Sequence, residues 1–500
     1  MPVLDSSSLD SPELGPKQRK AVAGMLSEMS PAAGELGARF ASQGHELALV
    51  GGPVRDFFLG RPRGDLDLAT DATPARVLEI VSGWADAVWT IGIKFGTVGM
   101  RKGREVLEIT TYRSEQYARK SRKPEVQYGQ SLTDDLSRRD FTVNAMAARL
   151  PGYELVDPFS GLRDVKGKVL RTPGRPEDSL GDDPLRIMRA ARFAAQLGFT
   201  VAPELRAAMT ELAPRLAIVS AERISAELSK LMLAPLAGGP RRGIALLVDT
   251  GVAGQVLPEV PKLRLERDEH YRHKDVYLHS LTVLDQAIDL EPRYDLEPDL
   301  VLRLAALLHD IGKPKTRTRL SGGRVAFHHH EVVGAKLARA RLTALRFPKD
   351  VAADVARLVE LHLRFHGYGT GEWTDSAVRR YVRDAGPLLT RLHALTRADC
   401  TTRNAAKAQR LARAYDSLEE RIAALAEREE LASIRPDLGG NEIMAILGIK
   451  PGPLVGKAYA YLLELRLEHG PLGPERATHE LLAWAVDGGL DVPGSPPAAG

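Results

Sequence analysis

Apolar and polar positions follow two different patterns along the chain, and the change between them divides the sequence into two regions. From about Leu47 to Val156, short apolar runs alternate with glycines and polar residues, as in LALV, DLDLAT and VLEITT. This alternation is typical of strands with a few intervening helices. From about Asp183 onward, nearly every segment places Leu and Ala at helical spacing. The pattern therefore predicts an α+β region followed by a long all-helical remainder.

Stretches rich in Pro and Gly, or in charge, indicate where these regions are divided. Both ends of the chain have a composition typical of disordered tails, and the stretches at 264–275 and 433–441 predict internal boundaries. We therefore expect five segments: an N-terminal tail and helix (1–30), an α+β head (31–160), a helical neck and body (161–265), a histidine-bearing helical domain (266–432) and a helical tail with a disordered end (433–500).

Composition narrows the class of protein. The chain has 500 residues, of which 44% are hydrophobic, enough for several packed cores. The absence of a spanning apolar run and of an early apolar segment predicts a cytoplasmic protein without a membrane partner. Cys400 is the only cysteine, which excludes an internal disulfide and a multi-thiolate metal site. A formal net charge of +4 is compatible with nucleic-acid contact along one face.

The first candidate site combines a glycine turn with paired carboxylates. Gly51 and Gly52 follow the apolar LALV run and precede a proline, which predicts a strand-to-helix turn whose backbone N–H groups can approach phosphate. Arg55, one turn into that helix, can add a charge-assisted contact. Asp65 and Asp67 alternate with apolar residues in DLDLAT, so they share one face of a strand about 7 Å apart. Such a pair can hold Mg²⁺ ions together with the phosphates that the ions carry.

Two later segments extend this site. Glu108 stands on the face of its strand opposite Leu107 and Ile109, and is our candidate for a third carboxylate. Arg138 and Arg139 precede FTVNAM, which we interpret as an amphipathic helix. The segment between the Glu108 strand and Arg138 is basic, and its charges fit a mobile loop near phosphates. The basic residues are Arg119, Lys120, Arg122 and Lys123.

The neck begins with a charged helix. In GDDPLRIMRAARF an Asp cap and a Pro precede good helix formers, which predicts a helix start. The charged positions recur every three residues and therefore lie on successive turns; they are Asp183, Arg186, Arg189 and Arg192. A carboxylate beside a guanidinium can present an acceptor and donors to the edge of a base. Three aligned arginines favour an anionic ligand.

Taken in order, LVGGPVRD, GDLDLAT, RRDFTVNAM, DPFSG, DDPLRIMRAARF and ERISAEL resemble the motifs of bacterial class II tRNA nucleotidyltransferases, the CCA-adding enzymes, and of bacterial poly(A) polymerases. The first two motifs also resemble those of nucleotidyltransferases related to DNA polymerase beta. The resemblance covers about residues 45–260 and implies a polymerase-beta-like mixed sheet in the head. That family usually has Glu-Asp where this chain has Asp182-Asp183.

The resemblance also implies a role for each matching residue. Asp65 and Asp67 would bind the catalytic Mg²⁺ ions. Gly51, Gly52, Arg55 and Arg139 would contact the incoming nucleotide. Asp183 and Arg186 would read the Watson–Crick edges of CTP and ATP, with Arg189 and Arg192 in support. The implied partners are tRNA, CTP and ATP, with no obligate protein partner.

A second candidate site lies among the histidines. His309 and Asp310 end an apolar helix, and buried groups of this kind are costly unless they are ligated or paired. With His279 and Asp399 they suffice for one divalent transition metal, or for two if His330 and His362 join. The set resembles an HD-superfamily metal phosphohydrolase domain, and some CCA-adding enzymes with such a domain hydrolyse phosphate ends of RNA.

Several functions remain open from the sequence. Full CCA addition from CTP and ATP is our main interpretation, and poly(A) synthesis from ATP alone is the nearest alternative. A specialist that adds only CC or only A is also open, and the loop between Arg113 and Leu132 is the segment expected to govern that choice. From other classes, the alternatives are an HD phosphohydrolase whose front half binds RNA, and a non-catalytic RNA-binding regulator. The turn GIKPGPLVG in the tail predicts a hairpin between two helices, whose exposed backbone N–H groups could also hold a phosphate backbone. The tail resembles the C-terminal segment of CCA-adding enzymes, which implies that it rests on tRNA.

Overall fold

In the computed structural model of the protein, the chain divides into two compact units between Pro258 and Glu259. Each unit is described by itself. The finer segment boundaries expected from the sequence remain predictions. The structure describes residues 15–61, 64–116, 125–128, 131–264, 275–321, 325–367, 373–402, 404–429, 434–488 and 490.

A mixed sheet forms the centre of the first unit. Among the described residues its strands run in the order β3-β4-β5-β2-β1-β8-β9, with β2 and β5 parallel and the other neighbours antiparallel. The strands are β1 (Leu47–Val50), β2 (Leu66–Thr70), β3 (Ala87–Trp89), β4 (Thr97–Lys102), β5 (Glu105–Thr111), β6 (Arg113–Gln116), β7 (Glu125–Tyr128), β8 (Ala147–Leu150), β9 (Glu154–Val156), β10 (Val169–Leu170) and β11 (Thr200–Val201). The mixed sheet predicted for the head is confirmed.

Helices cover the sheet and then form the rest of the unit. They are α1 (Pro16–Met29), α2 (Pro31–Ser42), α3 (Gly52–Phe58), α4 (Pro74–Val81), α5 (Leu132–Ser137), α6 (Gly161–Gly167), α7 (Pro176–Asp182), α8 (Leu185–Leu197), α9 (Pro203–Leu212), α10 (Ala221–Met232), α11 (Gly239–Asp249) and α12 (Ala253–Val256). β1 is buried along its whole length, as its apolar sequence requires. The predicted turn follows it, because Gly51 caps α3 with φ +74° and Pro53 lies in the first turn of the helix.

The prediction of an amphipathic helix after Arg139 is wrong. Thr142–Asn144 form a single 3-10 turn, and the chain then continues into β8. The reason is burial on all sides: Val143, Ala145, Met146 and Ala147 are all inaccessible to solvent, so the segment has no polar face to expose. β8 lies beside the central strand β1, where a strand is covered on both faces.

The second unit is helical apart from one short hairpin in its described residues. Its helices are α13 (Val276–Leu290), α14 (Leu300–Leu308), α15 (Lys313–Thr316), α16 (His330–Ala344), α17 (Lys349–Leu361), α18 (Asp375–Ala385), α19 (Leu389–Asp399), α20 (Ala405–Glu429), α21 (Gly440–Leu447), α22 (Pro453–His469) and α23 (Pro474–Asp487). The hairpin pairs β12 (Arg317–Arg319) with β13 (Val325–Phe327). Side chains of the last three helices share a core, so the predicted helix hairpin of the tail is present between α21 and α22.

Some expectations fall on residues that the structure does not describe. The N-terminal tail before residue 15, the end of the chain after residue 490, the basic positions at 119–123 and most of the boundary stretch at 264–275 lie outside the described residues. The segment expected to govern nucleotide choice is described only at its two ends, where β6 and β7 pair antiparallel. No helix in the described part of the chain is long and apolar enough to cross a membrane.

Candidate active site

The carboxylates of the head lie on one face of the sheet. Asp67 alternates with the buried Leu66 and Leu68 in β2, and Asp65 immediately precedes that strand. In the parallel pairing of β2 and β5, Asp67 lies opposite Glu108, whose side chain also points away from the core. The third carboxylate expected from the sequence is therefore brought beside the pair.

Two clefts meet at Asp67. The smaller, which we call the carboxylate cleft, has a volume of about 330 Å³ and is lined by Asp65, Asp67 and Glu108, together with Gly52, Asp56, Phe57, Arg61 and Gly64. The larger, which we call the arginine cleft, has a volume of about 460 Å³ and shares Gly52 and Asp67 with the first. Its charged lining residues are Arg55, Arg139, Arg186, Arg189, Arg192, Arg223, Asp67, Asp140 and Asp183.

The charges of the two clefts favour different ligands. Six guanidiniums against three carboxylates line the arginine cleft, an excess that suits a polyanion such as a triphosphate. Asp67 stands at the border, where solvent still reaches it. Partial burial raises the pKa of Asp67, and the neighbouring Glu108 and Asp65 add to this rise while Arg139 opposes it. Crowded carboxylates of this kind are stabilised in the charged form by divalent cations.

Arg55 is fixed by three neighbours rather than exposed to solvent. Its guanidinium donates to Asn144 Oδ1 at 2.5 Å and to both carboxylate oxygens of Asp56 at 2.9 Å. It also lies 5.3 Å from the centre of the Phe193 ring. Because these contacts hold the side chain against the wall of the arginine cleft, its charge is oriented before any ligand arrives.

Arg189 and Arg192 are held by buried acids. Arg189 donates to Asp140 Oδ2 at 2.5 and 2.8 Å, and Arg192 Nε lies 2.6 Å from Glu227 Oε2. Burial opposes ionisation of Asp140, but Arg189 and the Asn144 amide outweigh it and hold the pKa of Asp140 below its ordinary value. The two arginines also flank the Phe193 ring, at 5.5 and 4.1 Å from its centre.

Asp183 and Arg186 line the arginine cleft but contact other side chains. Asp183 accepts from Arg223 at 3.0 Å and from the backbone N–H of Leu185 at 3.2 Å. Arg186 donates to Ser179 Oγ at 2.7 Å and to the carbonyl of Arg138. These contacts orient the two side chains and leave further acceptor positions on Asp183 and further N–H groups on Arg186 for a base edge.

The glycine turn and Arg139 fit against each other. A Cβ on Gly51 would lie 2.6 Å from Arg139 Nη1, so a side chain here would displace that guanidinium, and the positive φ of Gly51 independently favours glycine. Arg139 is held in turn by Asp135, whose Oδ2 accepts from it at 3.1 Å. The turn and the guanidinium thus form one edge of the arginine cleft.

Sequence reasoning missed several residues of this site. Asn144 and Asp140 bridge Arg55 to Arg189, and Arg223 pairs with Asp183. All three lie within motifs quoted above, but no local spacing distinguishes them from structural residues. Phe193 was also within a quoted motif, and its contacts with three arginines depend on how α8 packs on the head.

In the second unit, the predicted ligands converge from separate helices. His279 of α13, His309 after α14 and Asp399 of α19 form one group of potential ligand atoms, with His279 Nε2 at 2.9 Å and His309 Nε2 at 3.6 Å from Asp399 Oδ1. Asp310, His330 and His362 form a second group. Asp310 joins them, because Oδ2 lies 3.2 Å from His309 Nε2 and Oδ1 lies 3.3 Å from His330 Nε2.

The Nδ1 atom of each of these histidines makes a hydrogen bond outside the two ligand groups, so Nε2 is the nitrogen that can bind a metal ion. Backbone carbonyls lie 2.6–2.8 Å from Nδ1 of His309, His330 and His362, and Thr401 Oγ1 lies 3.0 Å from Nδ1 of His279. Among the described residues, Nε2 of His330 and of His362 is buried without a hydrogen-bond partner. Burial lowers the pKa of His362 to about 3, so this imidazole stays neutral, as a metal ligand must. The donor set fits one or two divalent cations.

The chain is similar to known protein families, to known proteins and to solved structures. The family model "Poly A polymerase head domain" matches residues 47–171, that of the "Probable RNA and SrmB- binding site of polymerase A" matches 198–263, and that of the "HD domain" matches 276–430. The fold is similar to a crystal structure of the Bacillus stearothermophilus CCA-adding enzyme in complex with CTP, with a TM-score of 0.63 at 24% identity over 95% of this chain and 99% of that one.

Two relatives show how far the similarity extends. An A-adding tRNA nucleotidyltransferase of Deinococcus radiodurans is 36% identical over 458 residues, which cover 90% of this chain and 96% of that protein. A CCA-adding enzyme of Geobacillus stearothermophilus is 40% identical over 210 residues, which cover 42% of this chain and half of that enzyme. Since the first match spans almost the whole length of both proteins, the chain belongs to the family of tRNA nucleotidyltransferases that combine a poly(A) polymerase head with an HD domain.

Proposed function

We propose that this protein is a template-independent tRNA nucleotidyltransferase that adds C, C and A to tRNA 3′ ends from CTP and ATP in the cytoplasm. The observation that carries the proposal is the meeting of the two clefts at Asp67, with carboxylates on one side and an excess of guanidiniums on the other. This arrangement suits a hydroxyl nucleophile beside a triphosphate.

The residues of the two clefts divide the reaction between them. Asp65 and Asp67, with Glu108 beside them, would hold Mg²⁺, which lowers the pKa of the 3′-hydroxyl and neutralises the charge of the leaving group. The 3′-oxygen attacks the α-phosphorus of the nucleotide, and the bond from that phosphorus to the β-phosphate oxygen breaks to release pyrophosphate. Arg55 and Arg139 would hold the triphosphate in line for this attack.

Base selection is assigned to Asp183 and Arg186. Their side chains face the arginine cleft, where a carboxylate and a guanidinium offer one acceptor and paired donors to CTP and ATP. We expect Asp183→Ala to lower the discrimination of CTP and ATP from UTP and GTP more than it lowers kcat. Asp178→Ala removes an exposed carboxylate from the preceding helix and serves as the control. Unchanged nucleotide selectivity in Asp183→Ala would contradict the assignment.

Extension of a tRNA transcript that ends at its discriminator base tests the proposal directly. With Mg²⁺, we expect two additions from CTP alone and three from CTP plus ATP. Asp67→Asn should abolish both, whereas Glu105→Gln, which neutralises a carboxylate at the start of β5 that lines neither cleft, should abolish neither. A long ladder from ATP alone would instead identify a poly(A) polymerase, and no extension under any condition would contradict the nucleotidyltransferase assignment.

A specialist that adds only A is the second candidate for the head. The observation in its favour is that the match to an A-adding enzyme covers 96% of that enzyme, while two matches to CCA-adding enzymes cover 50% and 75% of theirs; a match to a CC-adding enzyme covers 95% of it, so CC addition alone is favoured equally. A transcript ending in CC separates the two: a specialist extends it with ATP but leaves the transcript without CC unchanged in CTP. A specialist for CC would show the converse result.

We also propose that the second unit is a metal-dependent phosphohydrolase. Asp310 presents one oxygen to each of two ligand groups, an arrangement that suits two divalent transition metals acting on one phosphate. RNA ending in a 2′,3′-cyclic phosphate, supplied with Mn²⁺, Co²⁺ or Ni²⁺, tests this activity. We expect hydrolysis that EDTA and His309→Ala abolish. Hydrolysis that survives His309→Ala would contradict the assignment.

A further inference from the structure

Trp89 lies in the same row of the sheet as the carboxylates. Asp67 of β2 is opposite Glu108 of β5, Glu108 is opposite Gly99 of β4, and Gly99 is opposite Trp89 of β3. Residues directly opposed on neighbouring strands project to the same face of a sheet. The indole of Trp89 therefore lies on the face that carries the carboxylate cleft.

Gly99 lets the indole lean toward the carboxylates. A Cβ at this position would lie 1.9 Å from Nε1 and 2.3 Å from Cε2 of Trp89, so the ring covers the backbone at a distance that only glycine permits. Neighbouring strands are about 4.8 Å apart. The edge of the indole that covers Gly99 is thus about one strand spacing from the position of Glu108 and two from that of Asp67.

Trp89 and the segment that follows it expose apolar side chains to solvent. Trp89 is partly exposed, and the segment that follows carries Ile91 and Phe95, which are 91% and 63% exposed. The carbonyl of Gly96 accepts from the backbone N–H of Thr111 at 3.0 Å, which fixes this segment to the end of β5. In contrast, Trp84 is buried, with Lys102 over its ring.

We propose that Trp89 is the platform on which the terminal base of the acceptor RNA stacks while its 3′-hydroxyl lies at Asp67 and Glu108. The inference rests on the proposed function and names a residue that positions its RNA substrate. Stacking on an aromatic ring tolerates any base. A growing end requires this tolerance, because its terminal base is the discriminator before the first addition and C before the second and third. The arginine cleft, on the other side of Asp67, then receives the incoming nucleotide.

Tryptophan fluorescence tests the contact without relying on activity. The chain has four tryptophans, and we expect a tRNA transcript ending at its discriminator base, added without nucleotide, to quench part of their emission. Trp84→Phe removes a buried indole from another part of the head and should retain this quenching, whereas Trp89→Phe should lose it. Full quenching in Trp89→Phe would overturn the proposal.

Steady-state kinetics test whether the ring acts on the RNA or only covers Gly99. We expect Trp89→Leu to raise KM for tRNA about fivefold or more, with KM for CTP and kcat little changed, and Trp89→Phe to recover most of the loss because a phenyl ring still stacks. An equal loss in both variants, or a rise in KM for CTP alone, would contradict the platform.

The two tests separate this inference from the proposed function. A wild-type protein that adds no nucleotide to tRNA would contradict the function, whatever the fluorescence shows. An active wild-type protein whose quenching is insensitive to Trp89→Phe would contradict the platform alone. If Trp89→Leu does not fold, the comparison of Trp89→Phe with Trp84→Phe still decides the question.

Discussion

At the scale of single residues, one buried carboxylate organises the cationic wall of the arginine cleft. Asp140 accepts from Arg189 and from Asn144, and Asn144 in turn accepts from Arg55. Two guanidiniums on different elements are therefore oriented through one acid and one amide. The charge of Asp140 is needed because a neutral group at this position would leave Arg189 partly buried without a counter-charge.

We expect Asp140→Asn to destabilise the head and to weaken nucleotide binding together. Since Arg189 remains partly exposed, the loss in the free energy of unfolding should be about 2 kcal/mol, below the cost of breaking a fully buried pair. Urea denaturation and KM for ATP measure the two effects. A double-mutant cycle with Arg189→Gln should show strong coupling in stability, and additive losses would contradict the pairing.

Gly51 offers a second test at the same scale, because a matched glycine exists. Gly51 and Gly60 both have positive φ, but only Gly51 has a neighbour, Arg139, where a Cβ would lie. We expect Gly60→Ala to lower the free energy of unfolding by about 1 kcal/mol through backbone strain, with activity retained. Gly51→Ala should add a large rise in KM for the nucleotide. Equal KM values in the two variants would contradict the role given to the contact with Arg139.

The residues that the sequence could predict are those whose chemistry shows in local spacing. Asp65, Asp67 and Glu108 alternate with buried apolar residues, so the strand pattern placed each of them on the polar face of its own segment. Trp89 could not be found in this way. Its relation to Glu108 depends on the pairing of three strands and on a glycine in the middle one, and pairing between distant segments has no local signature.

At the scale of elements, α18, α19 and α20 pack around a buried histidine. His393 of α19 stacks on Tyr381 of α18 with ring centres 5.8 Å apart, and its Nδ1 lies 3.6 Å from Glu419 of α20. Its Nε2 is buried without a hydrogen-bond partner in the described part of the chain. Burial lowers the pKa of His393 to about 4, against the opposing effect of Glu419. The packing of these helices therefore depends on a neutral imidazole.

This dependence predicts a loss of stability in acid. The unfolded chain binds a proton at His393 near pH 6.5, whereas the folded one does so only near pH 4. The stabilisation is therefore complete above pH 6.5 and decreases as the pH falls toward 4, by on the order of 3 kcal/mol. Urea midpoints at several pH values measure it. His393→Phe should flatten the slope, and the exposed His479→Gln should leave it as in the wild type. An unchanged slope in His393→Phe would contradict this account.

Elements were predicted well where one face is polar and poorly where none is. The segment that carries Arg186 and Arg189 has a charged face, and its sequence pattern correctly predicted the helix α8. The segment from Val143 to Ala147 is buried and apolar except for Asn144, so its periodicity could not distinguish a helix from a turn followed by a strand.

At the scale of the whole molecule, the candidate sites belong to different compact units. The residues of the two clefts precede Pro258, and the histidine groups follow Glu259. The sequence predicted both sites because each is built from motifs within one unit.

The division predicts that the two activities can be lost separately. We expect Asp67→Asn to abolish nucleotide addition while leaving hydrolysis and the metal content of the second unit unchanged. His309→Ala should have the converse effects. Extension gels, release of phosphate and elemental analysis of the purified variants measure the three properties. Loss of both activities from either single substitution would show that the sites depend on each other.

The position of Asp310 between the two histidine groups has a thermodynamic consequence. One carboxylate carries a single negative charge, and its two oxygens face different groups. A cation captured by one group neutralises much of the attraction that the other group offers, and then repels a second cation at short range. The groups should therefore load in two unequal steps, the second of lower affinity. The number of bound ions, and with it hydrolysis, would then follow the free metal concentration over a wide range rather than switching at one threshold.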